Sequence, residues 1–426
     1  MNQQAARGLQ HNVACPFCGL CCDDLTLELA DEQLTVLANG CALSRRGFSP
    51  PTVPGASERQ PRIQGETCTL EEAVAHAAAL LRTAQLPLIG GLGTDVAGAR
   101  AALQLADRTG AVVDHMNSAA MLRNVLAIQD GGWMTATLGE VRNRADLLVV
   151  FGSDVEQRLP RFYERFFANA ESMFGRHTSG RELVLIGPDA ERTAQPDVPR
   201  VTAITCPAEQ LGDVAMALRA LLRGYSLQAE NVAGVDLDRL RELVTRLGAA
   251  HYGVIAWVTA ALDFPHAELA VQAFSELVKA LNAGTRCAGL PLGGSDGDYT
   301  FSQVATWQAG FATRISLASG HPQFDPVRYH GARLLRDNET DLLLWISAFD
   351  AQRIPPSLSI PAIVLGRAGM QCETAPELFI PVATPGLDHA GHVYRCDSVV
   401  SLPLRGLRGS ALPAVASVLN AITEQL

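Results

Sequence analysis

The sequence predicts an α/β protein with two lobes of mainly parallel sheet. Three observations support this prediction: the strand candidates are short and apolar throughout, they alternate with Ala- and Leu-rich helical segments, and the alternation occurs twice along the 426 residues. Strands buried on both faces are continuous apolar runs, and intervening helices favour parallel pairing. A chain of this length has room for two such lobes, either sequential or interleaved.

The hydrophobic pattern and the turn residues place the individual elements. The strand candidates are 86–93, 111–114, 146–152, 182–187, 253–257, 341–347 and 360–366. The helix candidates are 70–81, 97–109, 276–281 and 414–422. Because the segment 86–93 ends in several glycines, we expect this strand to run into a glycine-rich turn.

The first 60 residues predict a separate small β unit. Segments 25–29 and 34–37 alternate apolar and polar side chains, as the strands of a small sheet do. Three prolines between residues 50 and 54 predict a linker after this unit. The expected parts of the chain are therefore 1–60, 61–250 and 251–426, with interleaved lobes as the alternative.

The composition narrows the classes of function. Hydrophobic residues make up 48%, charged residues 18%, and the formal net charge is -10, which excludes a disordered chain and argues against a nucleic-acid partner. No run of 18 apolar residues predicts a membrane span, and the first residues lack the basic and apolar regions of a secretory signal. We therefore expect a cytoplasmic protein whose ten cysteines are thiols or metal ligands.

The cysteine spacing predicts a metal-binding group. Cys15, Cys18 and Cys22 lie within eight residues, and Cys41 follows after eighteen more. Four thiolates from such a loop and a later turn can form the tetrahedral set that suits a [4Fe–4S] cluster or zinc. Cys21 is the expected spare, because adjacent side chains diverge. Two alternatives remain: the thiols are simply buried apolar groups, or the group is inherited but empty.

The segment CPFCGLCCDDL at residues 15–25, followed by a β pair and a late cysteine, resembles the N-terminus of the B subunit of formylmethanofuran dehydrogenases. These enzymes are molybdenum/tungsten bis-pterin oxidoreductases. Further blocks resemble the same chain in the same order, the most specific being 137–146. The other blocks are 110–114, 126–130, 306–310, 320–326, 380–386 and 391–397. The resemblance implies a large-subunit fold with two Rossmann-like lobes.

One departure from this family decides the expected chemistry. In the family, a Cys-His pair or a selenocysteine between the positions of Asp114 and Asp130 binds the metal. Here the corresponding residues are Ala120 and Met121, and neither supplies an anionic thiolate. His115 and Ser118 lie nearby as substitute nitrogen or oxygen donors, although they sit elsewhere in the local spacing.

The resemblance also points to a vestigial pterin site. Its candidate residues are Gly91, Gly93, Asp189, Trp307 and His321. Free amides of the glycine-rich turn suit a phosphate, and Asp189 follows a strand where doubly wound folds place ligand contacts. The alternatives are close strand–helix packing for the glycines and a loop hydrogen bond for His321.

The loss of the metal ligand makes the chain most similar to the B subunit of the bacterial formyltransferase/hydrolase complex. The resemblance then implies a non-catalytic structural subunit in the C1 pathway from formaldehyde to formate, although the family is one of oxidoreductases. Its implied partners are an amidohydrolase-like A subunit, a formyltransferase D subunit, and a C subunit. The implied cofactor is a [4Fe–4S] cluster or none, and a Mo/W bis-pterin is not expected. The alternative function is a redox-active dehydrogenase subunit with both groups.

Overall fold

A computed structural model describes residues 8–49, 55–152, 155–168, 172–173, 180–191, 198, 200–357 and 359–426. The predicted linker prolines lie outside these residues. The chain folds as two compact units. Unit 1 comprises Met1–Ser118 and Gly294–Leu426, and unit 2 comprises Ala119–Gly293. Among the described residues, no helix is both long and apolar enough to cross a bilayer.

The N-terminal β unit has the predicted form. Its strands are β1 (Gly8–Val13), β2 (Leu25–Ala30) and β3 (Gln33–Ala38), which pair antiparallel in that order and are followed by helix α1 (Ala42–Phe48). Asp31 and Glu32 connect β2 to β3 with φ values of 50° and 65°, as a tight hairpin turn requires. Leu27 opposes Val36, and both side chains are buried.

Helices and short strands alternate along the rest of the chain. The first part of the chain continues with β4 (Arg62–Ile63), β5 (Glu66–Thr67), α2 (Leu70–Thr83), β6 (Pro87–Gly93), α3 (Val96–Thr109), β7 (Val112–Val113) and α4 (Ser118–Gly131). The middle contains α5 (Leu138–Arg144), β8 (Leu147–Phe151), α6 (Val155–Arg158), α7 (Phe162–Phe166), β9 (Glu182–Gly187), β10 (Arg200–Thr205), α8 (Leu211–Leu222), β11 (Asn231–Val232), β12 (Val235–Asp236), α9 (Leu237–Ala249), β13 (Gly253–Val258), α10 (Ala267–Leu281) and β14 (Cys287–Leu292). The last part contains α11 (Asp298–Ala309), β15 (Ile315–Ser316), β16 (Gln323–Phe324), α12 (Gly331–Arg336), β17 (Leu342–Ser347), β18 (Ala362–Arg367), β19 (Leu378–Val382), β20 (Gly391–Tyr394), β21 (Ser401–Leu404) and α13 (Val415–Glu424).

Unit 1 is built on one large sheet. Within the described residues, its strand order is β16-β15-β7-β6-β17-β18-β19-β4-β5, and the central run from β7 to β19 is parallel. Alternate residues of the strands face opposite sides, so Ile89 and Leu344 join one apolar cluster while Leu88 and Leu343 join another. Helices α2, α3, α11 and α13 cover the first face, and Leu334 of α12 packs on the second. This arrangement confirms the predicted α/β class.

The centre of this sheet contains a topological switch point. From β6 the chain passes through α3 to β7 on one side, whereas β17 leads to β18 and β19 on the other side. In doubly wound sheets, the crevice at the carboxyl ends of two such strands is the usual place for a ligand. The crevice at the ends of β6 and β17, the switch-point crevice, is therefore the expected ligand position in unit 1.

Unit 2 contains a second parallel sheet, with the order β10-β9-β8-β13-β14 among the described residues. Trp257 of β13 is fully buried, and its Nε1 donates a hydrogen bond of 2.9 Å to Asn124 Oδ1. Because β13 pairs with β8 and with β14, residues 253–292 belong to the same sheet as 147–151. The boundary expected at residue 250 thus falls inside unit 2, and unit 2 is inserted between the two segments of unit 1.

Candidate functional site

A backbone hydrogen bond joins the two ends of the cysteine loop, residues 15–22. The Cys15 amide donates to the Cys22 carbonyl at 2.7 Å, so the loop is compact. Cys15, Cys18 and Cys22 are buried. Cys41 is half-buried at the N-cap of α1, where its Sγ accepts from the Ser44 amide at 3.5 Å.

Burial and neighbouring thiols raise the pKa values of two of the four predicted cysteines. Burial raises the pKa of Cys15 well above its ordinary value, and Cys18, Cys22 and Cys41 raise it further by charge repulsion. Burial and the same repulsion from Cys22 and Cys41 raise the pKa of Cys18 to about 12. The metal-free thiols of Cys15 and Cys18 are therefore protonated at neutral pH.

Cys21 packs differently from these four cysteines. It has a φ of 45°, and its Sγ points to the Tyr394 carbonyl at 3.8 Å and to the Cys18 carbonyl at 3.6 Å. The side chain joins an apolar cluster with Phe349 and Val393. Cys21 thus serves the packing of the loop against the β20–β21 hairpin.

The donor chemistry of Cys15, Cys18, Cys22 and Cys41 suits a cluster. Among the described residues, no group of three or more His, Cys, Asp or Glu side chains is placed to bind a metal ion. Binding would require the thiols to lose their protons.

His115 follows β7 and is held by hydrogen bonds on both ring nitrogens. Nδ1 accepts from the Asn117 amide at 3.2 Å, so Nε2 carries the proton and donates to Ser302 Oγ at 3.2 Å. Burial, together with the charges of Arg314 and Arg353, lowers the pKa of His115 to about 3. The imidazole is therefore neutral, and both nitrogens are used within the protein.

The neighbouring Asp114 and Ser118 form a second buried network. The Asp114 carboxylate accepts from Thr313 Oγ1 at 2.8 Å and from the Gly331 amide at 2.8 Å. Ser118 also hydrogen-bonds to this carboxylate, while burial raises the Asp114 pKa. Ser118, like His115, is thus engaged in hydrogen bonds that hold the end of β7 in place.

Gly91 and Gly93 are required by packing. Gly91 has a φ of 69°, and a Cβ there would lie 2.5 Å from the Ile346 carbonyl oxygen. A Cβ on Gly93 would lie 3.1 Å from the Asp296 carbonyl oxygen and 3.1 Å from Met116 Cε. These contacts favour the packing alternative over phosphate binding. Asp95 then caps α3, its Oδ1 accepting from the Gly98 amide at 3.0 Å.

The other predicted residues lie on separate elements. Trp307 on α11 is 55% exposed, with its ring 5.2 Å from that of Tyr394. His321 is exposed in the loop before β16, and Asp189 is exposed in the turn after β9 of unit 2. Ala120 and Met121 lie half-buried in the first turn of α4.

Sequence reasoning missed four polar side chains at the switch-point crevice: Asn117, Asp296, Asp298 and Arg353. Asn117 Nδ2 donates to Asp298 Oδ2 at 2.9 Å, and Arg353 Nε lies 3.1 Å from Asp296 Oδ2. Burial raises the pKa of Asp296, and burial raises that of Asp298 to about 7. The available signal was the run Gly-Gly-Ser-Asp-Gly-Asp at 293–298, which combines flexible and acidic residues.

These residues do not fit a phosphate-bearing pterin. The Asp95 carboxylate already takes the helix N-terminus that would otherwise attract a phosphate. Asp296 and Asp298 add carboxyl groups, and the guanidinium of Arg353 is paired with Asp296. Ala120 has no donor atom for a metal.

Comparison with known proteins gives a consistent set of relatives, although no family model matches the chain. It is 29% identical over 404 residues to the B subunit of the tungsten-containing formylmethanofuran dehydrogenase 2 of Methanocaldococcus jannaschii, covering 91% of each chain. The corresponding subunit of Methanococcus maripaludis is 26% identical over 407 residues, which cover 91% of this chain and 92% of that one. The B subunit of the formyltransferase/hydrolase complex Fhc of Methylorubrum extorquens is 29% identical over 338 residues, covering 78% of this chain and 87% of the relative.

A solved structure shares the fold. The crystal structure of the formyltransferase/hydrolase complex FhcABCD from Methylorubrum extorquens with methylofuran contains a chain that superposes with a TM-score of 0.69. The match is 24% identical and covers 86% of this chain and 98% of that one.

Proposed function

We propose that the chain is the non-catalytic B subunit of a formyltransferase/hydrolase complex, because it is 29% identical both to a formylmethanofuran dehydrogenase B subunit and to the B subunit of such a complex. The observation that carries this proposal is Ala120–Met121, at the place where the family binds its metal. Neither side chain provides a thiolate, and the nearby His115 and Ser118 are committed to internal hydrogen bonds. The chain thus lacks the ligand that a redox role in this family requires.

In this proposal the chain acts as a scaffold in the cytoplasm. It holds an amidohydrolase-like A subunit, a formyltransferase D subunit, and a C subunit in one assembly. The complex as a whole transfers and hydrolyses formyl groups in one-carbon metabolism. The relative that bears the name of such a complex shares 29% of aligned residues with this chain, which supports the assignment.

Purification of the chain under anaerobic conditions, by a tag at its C-terminus, tests this function. We expect A-, C- and D-type subunits to co-purify and molybdenum and tungsten to be far below one atom per chain. The preparation should also fail to reduce a viologen dye with formate or formylmethanofuran. Stoichiometric molybdenum or tungsten with viologen reduction would instead establish the redox-active alternative.

We also propose that Cys15, Cys18, Cys22 and Cys41 bind a [4Fe–4S] cluster that stabilises the N-terminal unit. The burial of Cys15, Cys18 and Cys22 supports this proposal, and so does the charge repulsion that these residues and Cys41 would have as thiolates, since a cation would stabilise neighbouring thiolates. We expect about four iron atoms and four acid-labile sulfides per chain in an anaerobic preparation.

The matched variants are Cys18→Ser and Cys21→Ser. Cys18→Ser should lose the iron and lower the thermal stability, because it removes one ligand. Cys21→Ser should keep the iron, since Cys21 packs against the hairpin. An iron content near zero in both variants, together with equal thermal stability, would show that the site is empty.

A further inference from the structure

We propose that Asn117, Asp296, Asp298 and Arg353 form a clasp that closes the switch-point crevice of unit 1 from within. The clasp joins segments that are distant in sequence: Asn117 follows β7, Asp296 and Asp298 begin α11, and Arg353 follows β17. In this inference the crevice is held shut by the chain's own side chains and admits no phosphate ligand. It goes beyond the proposed function, because it concerns how this unit maintains its own structure.

Arg353 lies on the solvent side of the clasp. Its carbonyl accepts from Trp345 Nε1 at 2.9 Å, which fixes the backbone beside β17. Its Nη2 donates to Asn117 Oδ1 at 2.5 Å, and its Nε lies 3.1 Å from Asp296 Oδ2. The Arg353 side chain is 37% exposed and that of Asp296 is 13% exposed, so the guanidinium lies outside the carboxylate.

Asn117 connects Arg353 to the start of α11. Its Oδ1 accepts from Arg353, and its Nδ2 donates to Asp298 Oδ2 at 2.9 Å and to Ser295 Oγ at 3.1 Å. The other Asp298 oxygen accepts from the amides of Ser295 and Tyr299 at 3.1 and 2.7 Å. The side-chain oxygen and the side-chain nitrogen of Asn117 therefore both have protein partners, as a rigid hydrogen-bond network requires.

The backbone around the clasp is packed too closely for a ligand. A Cβ on Gly297 would lie 2.6 Å from the Thr94 carbonyl oxygen and 2.9 Å from Phe349 Cε2. On the other side of the same loop, the Gly19 amide donates to the Gly294 carbonyl at 2.7 Å. The loop 294–298 is thus pressed between the end of β6 and the cysteine loop.

The charge at the crevice also opposes an anionic ligand. Asp95, Asp296 and Asp298 contribute three carboxyl groups. Arg353 and Arg46 both lower the pKa of Asp296, but their guanidinium groups are already paired, with Asp296 and Asp350 respectively. A phosphate entering here would have to displace a protein carboxylate from the α3 N-terminus and break the Arg353 pair. Steric and electrostatic terms therefore act in the same direction.

Hydrogen–deuterium exchange of the full-length chain tests the clasp through Arg353→Met. This change keeps an apolar stem and removes the guanidinium, so exchange of segments 114–117 and 294–298 should become at least about tenfold faster. Arg333→Met is the matched control, because Arg333 also pairs with carboxylates, Asp337 and Glu339, but on the surface of α12. The control should leave exchange of 294–298 unchanged, and unchanged exchange in Arg353→Met would overturn the proposal.

Two further measurements keep the test decisive if Arg353→Met folds poorly. Arg353→Lys preserves a cation near Asp296 but cannot bond to Asn117 and Asp296 with one planar group, so we expect an intermediate increase in exchange of 294–298. Wild-type exchange equal to that of Arg353→Lys would count against the clasp. Guanosine diphosphate at millimolar concentration should not protect residues 91–98 or 294–298 in the wild type, and protection there would show an open ligand site.

Discussion

Replacing Gly91 with alanine is expected to destabilise the chain by about 3–5 kcal/mol, because two costs add. Gly91 has a φ of 69°, a conformation in which an L side chain is strained. Its new Cβ would also lie 2.5 Å from the Ile346 carbonyl oxygen in the neighbouring strand β17. Because β6 and β17 are the two strands at the switch point, neither can move away without disturbing the centre of the sheet. Urea unfolding followed by far-UV circular dichroism measures the loss.

Gly65→Ala is the control for backbone strain alone. Gly65 has a φ of 88°, but nothing lies within 4 Å of the position that a Cβ would take there, on the surface turn between β4 and β5. We expect this variant to lose only about 1 kcal/mol. Equal losses in the two variants would mean that the contact with Ile346 has no energetic consequence.

The second large expected effect is a loss of folding stability in acid that comes from His115. Its pKa falls from an ordinary 6.5 to about 3 in the folded chain, so unfolding takes up a proton between these values. The stabilising contribution is fully present above pH 6.5 and is lost as the pH falls towards 3. The slope amounts to about 1.4 kcal/mol for each pH unit in this window.

His115→Gln should remove this slope while retaining the fold. A glutamine side chain can accept from the Asn117 amide and donate to Ser302, but it does not titrate. The free energy of unfolding, measured from pH 4 to 7 for both proteins, should show a difference that grows towards acid. The two proteins must be compared because Asp298 has the opposite effect on the free energy of unfolding. Its pKa is raised from 3.8 to about 7 in the folded chain, so the stability that it contributes is lost as the pH rises between these values.

His321→Gln supplies the matched control, since it makes the same substitution in an exposed loop. The difference from the wild type that grows towards acid should be larger for His115→Gln than for this control. A slope for His115→Gln that parallels the wild type would show that the buried imidazole does not stay neutral in the fold.

Much of the architecture was accessible from local sequence. The strand at 182–187 was predicted at its observed limits, and the helix predicted at 70–81 forms α2, whose start is fixed by a Thr69–Glu72 capping box. Local hydrophobic period and cap residues suffice for such elements, because the interactions that define them span only a few positions. The same holds for the cysteine group, whose close spacing brings Cys15, Cys18 and Cys22 together.

Residue identity at one position also carried functional information. The Ala120 side chain cannot bind a metal in any fold, so its identity alone predicted the loss of the ligand that the resemblance implies at this position. The structure adds that Ala120 lies in the first turn of α4, a helix absent from the sequence prediction.

Only the tertiary structure decided which distant residues meet. The clasp joins Asn117 to Asp298 across 181 positions and to Arg353 across 236. The assignment of 253–292 to the same sheet as 147–151 likewise depends on strand pairing. Composition and periodicity do not predict such pairings. The free energy that selects them comes from packing between segments that can lie any distance apart in the sequence. The sequence alone therefore indicated the resemblance and the lack of a side-chain donor at Ala120, whereas the contacts of Asn117 with Asp298 and Arg353 became visible only once the sheet was assembled.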